Sequence, residues 1–449
     1  MTVLTLLLSN ALAAPVSPPA LGPADPVWGP FAEQGLAHRR EPVALAGSGA
    51  RYLDVYRKGD LAILHDADGE WFAEALQQGG DLNWVLGSVE GAFYKKFEDD
   101  YEYLTILLVR DLGFFVAFYS PLANDVYGIG YDSTFSGEVF DTTENKLDGF
   151  IFMNYYGLWS QTPEVGRYVF GQEFMHRWGS FVNIEKEGLD ENALLGRDTA
   201  HWSYFLQTTN SPMEGNTWTD NGDGTWTTAN TATSTYSDLD LYLMGFVPPE
   251  EVAPQTLLLV DDAEAAAAGV EAGSTPEFLD RFSGGRNVTL AGTPVTFTVD
   301  DIIAAEGERV PAAADSQRDF RMAFLVLVLS EDVLDDDVMA EIDGVRTTFE
   351  ADWEEDVQGL ADLDTTLGEN TAPVWGEEPG DSDTAGDTDT DAADTGASAA
   401  DTEDPPCCKE DAGGCGCTSP GAPHGGLALG AFAVAGALAA RRRAAAVRA

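Results

Sequence analysis

The chain has 449 residues, with 76 Asp and Glu against 24 Lys and Arg, for a formal net charge of −52. A field of that sign repels phosphate backbones and anionic lipid surfaces, which excludes nucleic acid as a partner and leaves divalent cations, basic ligands or a saline medium. Hydrophobic residues make up 44% of the chain, enough for one large or two small cores in its body.

Residues 1–13, MTVLTLLLSNALA, form a short apolar run closed by an ALA pattern. That is the form of a signal peptide ending at Ala13, although no Lys or Arg precedes the run. A body domain is expected over 25–250. Within it WVLGSVEGAFYKKF predicts a helix, YLTILLVR and FFVAFYS predict short buried strands, and KLDGFIFMN predicts a further strand. The run NYYGLWS adds aromatic side chains that either line a cleft or pack in the core.

Apolar residues on helical spacing, with Pro163 near the start, predict a helix over 163–184. It contains GQEFMHRWGSF. Gln172, Glu173 and His176 stand in the frame of HExxH, where two imidazoles one turn apart grip Zn²⁺ and the Glu deprotonates a metal-bound water. Gln172 replaces the first imidazole with a neutral amide oxygen, a weaker zinc donor. The plainer reading is an amphipathic helix that carries QExxH by chance. Gly179 holds the glycine position of the longer HExxHxxGxxH motif, but Val182 stands where its third His belongs. Of the five His residues at 38, 65, 176, 201 and 424, His201 is the best further ligand, with Asp198 and Glu214 as carboxylate alternatives. A His beside Trp202 also reads as a packed core residue.

Further along, SPMEGN (211–216) predicts a turn on Pro212 and Gly215. TDNGDGTWTT, from Thr219, lacks the acidic spacing of a calcium loop and predicts a hairpin between Trp218 and Trp226. In YSDLDLYLMG, Ser237 and Asp240 predict a helix cap and Gly245 its end. Over 251–360, the strands TLLLV, NVTL, PVTFTV and RMAFLVLVL and a closing helix suggest a smaller α/β lobe.

The stretch 371–406 carries an acidic run without a basic residue and almost without large apolar ones, and so predicts a solvated, disordered stalk. All four cysteines follow, at 407, 408, 415 and 417, in spacings unlike a zinc site. Residues 425–440 are apolar or small and are followed by Arg441, Arg442 and Arg443, which suggests a transmembrane segment with the arginines on the cytoplasmic side.

The order of QEFMHRW, His201 with Trp202, SPMEGN and YSDLDLYLMG resembles secreted bacterial zincin-like (metzincin-type) metallopeptidases, with SPMEGN similar to their Met-turn. The region 407–449 resembles the C-terminal sorting tail of myxobacterial surface proteins. The first resemblance implies an α+β zincin-like body that hydrolyses peptides, with Glu173 as base and with His176, His201 and Gln172 around zinc. It also implies that the strand at 149–154 is an edge where an extended peptide pairs. The alternative is a catalytically inactive surface binding protein on the same fold. Export and anchoring at the cell surface, with membrane contact through the C-terminal segment, follow from the two ends of the chain.

Overall fold

A computed structural model describes residues 52–77, 82–111, 117–131, 146–229, 235–276 and 287–377. The expected signal peptide, nearly all of the acidic stalk and the whole 407–449 tail lie outside the described residues. No helix among the described residues is long and apolar enough to cross a membrane.

In chain order the strands are β1 (Asp54–Lys58), β2 (Leu61–His65), β3 (Tyr103–Leu108), β4 (Phe118–Pro121), β5 (Gly149–Tyr155), β6 (Trp202–Gln207), β7 (Glu214–Asn216), β8 (Trp218–Asp220), β9 (Thr225–Thr228), β10 (Gln255–Leu259), β11 (Thr289–Ala291), β12 (Thr293–Phe297), β13 (Asp319–Val328) and β14 (Asp362–Asp364). The helices are α1 (Glu70–Gln77), α2 (Leu82–Phe93), α3 (Tyr156–Gln161), α4 (Pro163–Met175), α5 (Asp238–Met244), α6 (Asp262–Ala268), α7 (Val299–Glu306) and α8 (Asp336–Asp356). The chain is thus a mixed α and β protein.

Its main sheet runs β1-β2-β13-β3-β5-β4, with β14 attached to β13. The inner pairs β2–β13, β13–β3 and β3–β5 are parallel, and β4 closes the sheet antiparallel to β5. Parallel strands covered on both faces carry apolar residues throughout, and β13 shows why. Its Phe324, Val326 and Val328 enter one core, while Ala323, Leu325 and Leu327 enter the other. Trp71, Trp84, Val89 and Phe93, from α1 and α2, fill the second core. Phe170, Phe174, Phe349 and Trp353, from α4 and α8, fill the first.

Two sequence expectations change here. The strand at 149–154 is not an edge: β5 lies between β3 and β4, so β4 is the outermost strand on that side of the sheet among the described residues. Its apolar run gave no hint of order, because strand order is decided by long-range pairing. The elements assigned to a smaller lobe also divide differently. β13 runs through the middle of the main sheet and α8 packs on α4, whereas β10 and β12 join β6 and β7 in a four-stranded sheet. The strands and the closing helix themselves fall where expected.

NYYGLWS mostly packs, although Tyr155 and Tyr156 also border a shallow surface pocket with Arg110 and Asp332. Tyr156 and Trp159 are buried, and Trp159 Nε1 donates to the Met153 carbonyl at 2.6 Å. The hairpin between Trp218 and Trp226 is present as β8–β9. Gly222 and Gly224 take φ of +79° and +87° in its turn, a region open to Gly at no steric cost. The Asp220 and Asp223 carboxylates accept from the Gly222 and Thr225 amides at 2.8 and 3.0 Å, turned onto their own loop.

Helix α5 begins with a capping box of Ser237 and Asp240 and ends on Gly245 at φ +81°. Ser237→Ala removes the Oγ that accepts from the Asp240 amide at 3.2 Å. An N-cap of this kind contributes about 1 kcal/mol, so the urea midpoint of the variant should fall with an unchanged slope.

Candidate functional site

The site is assembled by three segments: α4, the loop at 195–201 and the turn at 211–216. Helix α4 has Pro163 at its first turn, where a missing N–H costs nothing. Phe170 stacks on Phe349 at 4.5 Å and Phe174 on Trp353 at 4.8 Å. These two contacts, one turn apart, fix the rotation of the helix. Tyr168, Gln172 and His176, spaced by four, therefore share the opposite stripe, with Glu173 at its flank.

The helix is shorter than its sequence pattern suggests. It ends at Met175 with His176 as its C-cap, and the run at 178–184 continues as irregular buried backbone. There the Ser180 amide bonds the Ala200 carbonyl and the Ile184 amide bonds Glu191, so its apolar spacing reflects burial without helix. Arg177 is drawn off in the other direction, to Asp148 and to the Tyr103 hydroxyl.

His176 and His201 meet edge to face with ring centroids 5.0 Å apart. Nδ1 of His176 lies 3.1 Å from the Gly179 carbonyl, and Nδ1 of His201 lies 3.0 Å from the Arg197 carbonyl. Each contact assigns the proton to Nδ1 and leaves Nε2 as an acceptor. Burial, the largest influence, pushes His176 down to about 4 and His201 well below the usual imidazole range, so both rings are neutral at pH 7.

The Nε2 acceptor of His201 is already engaged. Arg197 Nη2 lies 3.1 Å from it and donates to Glu214 Oε1 at 2.5 Å, while Arg197 Nε donates to the same oxygen at 3.0 Å. Glu214 is buried, and its Oε2 lacks a hydrogen-bond partner, as do Gln172 Nε2 and Glu173 Oε2. Burial raises the Glu214 carboxyl, and Arg197 draws it back down, helped by the Gln172 side chain, which faces the carboxylate without meeting hydrogen-bond geometry. Glu173 is pushed up to about 8 by burial, against opposing pulls from Arg197 and from the backbone N–H of Tyr119 on β4.

Three features hold these groups in place. Trp202 Nε1 donates to Asp240 Oδ1 at 2.7 Å, anchoring the start of β6, next to His201, on α5. The Tyr236 hydroxyl donates to the Gly171 carbonyl at 2.6 Å, and a Cβ on Gly171 would stand 3.4 Å from Pro212, so the turn lies close against α4. Asp198, Thr199 and Glu214 have φ of +57°, +55° and +75°. Left-handed non-glycine backbone of this kind gathers at functional sites, where the surrounding packing enforces it.

The chain matches no known protein family, no curated protein and no solved structure.

The structure thus brings Gln172, Glu173, His176 and His201 together, with Glu214 as a close neighbour and Asp198 at 3.6 Å from Arg197 Nη1. Arg197 was not anticipated. Its one sequence signal is the i, i+4 spacing to His201 within RDTAH, which any surface helix would also show. The residues do not fit a zinc ion as they stand. Among the described residues no three His, Cys, Asp or Glu side chains are arranged to hold a metal. The guanidinium already takes the His201 lone pair and one Glu214 oxygen. A dication about 4 Å from a guanidinium would be repelled by on the order of 8 kcal/mol at a near-surface effective dielectric.

Proposed function

We propose that this chain is a zincin-like surface protein that holds an extended peptide along its main sheet without cleaving it. The observation that carries this reading is Arg197, bonded at once to His201 Nε2 and Glu214 Oε1. A metal-dependent hydrolase needs those lone pairs for an exchangeable ion.

The peptide site in this reading is the outer edge of β4. An antiparallel edge strand pairs with an extended chain through main-chain hydrogen bonds, and Glu173, which accepts from the Tyr119 amide, would yield that amide to the incoming peptide. The strongly acidic composition favours a basic peptide. A signal peptide at 1–13 and an anchoring tail at 407–449 would place this edge outside the cell.

The peptidase reading retains one observation in its favour: both imidazoles present Nε2 with Nδ1 tied to a backbone carbonyl, the tautomer that zinc ligands use. A single assay separates the two. A fluorescein-labelled unstructured Lys/Gly/Ser peptide, incubated with the purified protein, should show raised anisotropy that falls with added salt and no fragments by mass spectrometry. Turnover of the peptide that is lost in Glu173→Ala would overturn the binding reading.

A further inference from the structure

We propose that Arg197 is a tethered cation standing in the position a metal ion would take, clamping the 195–201 loop and the 211–216 turn together beneath α4. This deepens the function proposed above by saying what replaces the metal.

The argument rests on the atoms Arg197 engages. Its carbonyl lies 3.0 Å from Nδ1 of His201 and its Nη2 lies 3.1 Å from Nε2 of the same ring. One residue thus brackets the imidazole at both nitrogens. The same Nη2 reaches across to Glu214 Oε1 at 2.5 Å. His201 Nε2 and Glu214 Oε1 are the kind of donors that a divalent ion bridges, and here one N–H-bearing nitrogen bridges them. The guanidinium side chain is 24% exposed, but Glu214 is only 2% exposed. The carboxylate therefore depends on this cation for its charge balance.

The neighbouring groups agree. Gln172 offers an amide where the zinc motif has an imidazole, which removes one donor that would compete for a metal. Gln172 Nε2, Glu173 Oε2 and Glu214 Oε2 are all buried and without hydrogen-bond partners. Three of the left-handed non-glycine residues lie in the two segments that Arg197 joins: Asp198 and Thr199 in one, Glu214 in the other.

The clamp predicts an exchange between Arg197 and metal. The natural protein, incubated with excess zinc and dialysed, should retain no stoichiometric zinc, and neither zinc nor a chelator should move its Tm. Arg197→Ala, which strands a buried carboxylate, should lower Tm by about 5 °C or more. With zinc it should take up roughly one ion per chain through His176, His201 and Glu214 and recover the lost stability. Arg197→Lys, which keeps the charge but not the fork, should lose less Tm than Arg197→Ala and still exclude zinc. Arg197→Ala/Glu214→Gln should lose the uptake.

Stoichiometric zinc in the natural protein would overturn the clamp, as would an Arg197→Ala protein with unchanged Tm and no zinc. If Arg197→Ala does not fold without zinc, refolding it with and without zinc gives the same decision, with metal-dependent recovery required by the proposal. Zinc-free peptide turnover by the natural protein would sink the binding reading and leave the clamp standing. Zinc without turnover would do the reverse.

Discussion

Glu173→Gln should raise the melting temperature by roughly 5–10 °C at pH 8 and change it little near pH 4.5. Burial lifts the Glu173 carboxyl from 4.5 to about 8, so the folded state favours the neutral acid while the unfolded chain ionises readily. Stability from this group is fully present below about 4.5 and is lost as pH rises through about 8. The loss reaches on the order of 4 kcal/mol. Gln is nearly isosteric and never ionises, and its carbonyl still accepts from the Tyr119 amide, so the variant escapes the alkaline loss. His176 acts in the opposite sense: with its folded value lowered to about 4, it destabilises as pH falls from about 6.5. The check is thermal unfolding of both proteins across pH 4.5 to 9. Parallel profiles would show that Glu173 does not carry the penalty.

Asp240→Ala should cost about 3–5 kcal/mol and shift the urea midpoint strongly at unchanged slope. Asp240 is fully buried. Its Oδ1 accepts from Trp202 Nε1 at 2.7 Å, and its Oδ2 accepts from the Ser237 amide at 2.7 Å and the Ser237 hydroxyl at 2.6 Å. Truncation leaves these buried donors, and the Ser211 hydroxyl that also bonds the carboxylate, unmatched, each costing about 1–3 kcal/mol. It also frees the indole that anchors the residue following His201. The edge-to-face contact of His176 and His201 should loosen, which NMR of the imidazole protons would detect as averaged shifts. A loss below about 1 kcal/mol would mean that water replaces the carboxylate without strain.

Several features were readable before any coordinates. The cap at Ser237 and Asp240, the stop at Gly245 and the Trp218 to Trp226 hairpin fall where local chemistry places them, because each depends on contacts only a few residues apart. Gln172, Glu173 and His176 share a helix face for the same reason. Arg197 could not be found this way. Its role depends on Glu214, 17 residues on, and on a left-handed bend at Asp198 that nothing in RDTAH announces. The end of α4 was misplaced because buried irregular backbone at 178–184 has the same apolar density as a helix. The edge at 149–154 follows only from the zincin resemblance, and the apolar run of β5 does not record which strand lies beside it.

β13 has a bearing on how the chain is made. Residues 319–328 lie between β2 and β3, which are complete by residue 108. A ribosome or an export channel delivers the chain from its N-terminus, so about two hundred residues emerge before the strand that joins those two arrives. Until then both inward edges expose unpaired amides, a hazard for pairing with other chains. The fold can close only after nearly the whole described body has emerged. Any truncation ahead of residue 319 should therefore yield an aggregating fragment and not a smaller working domain.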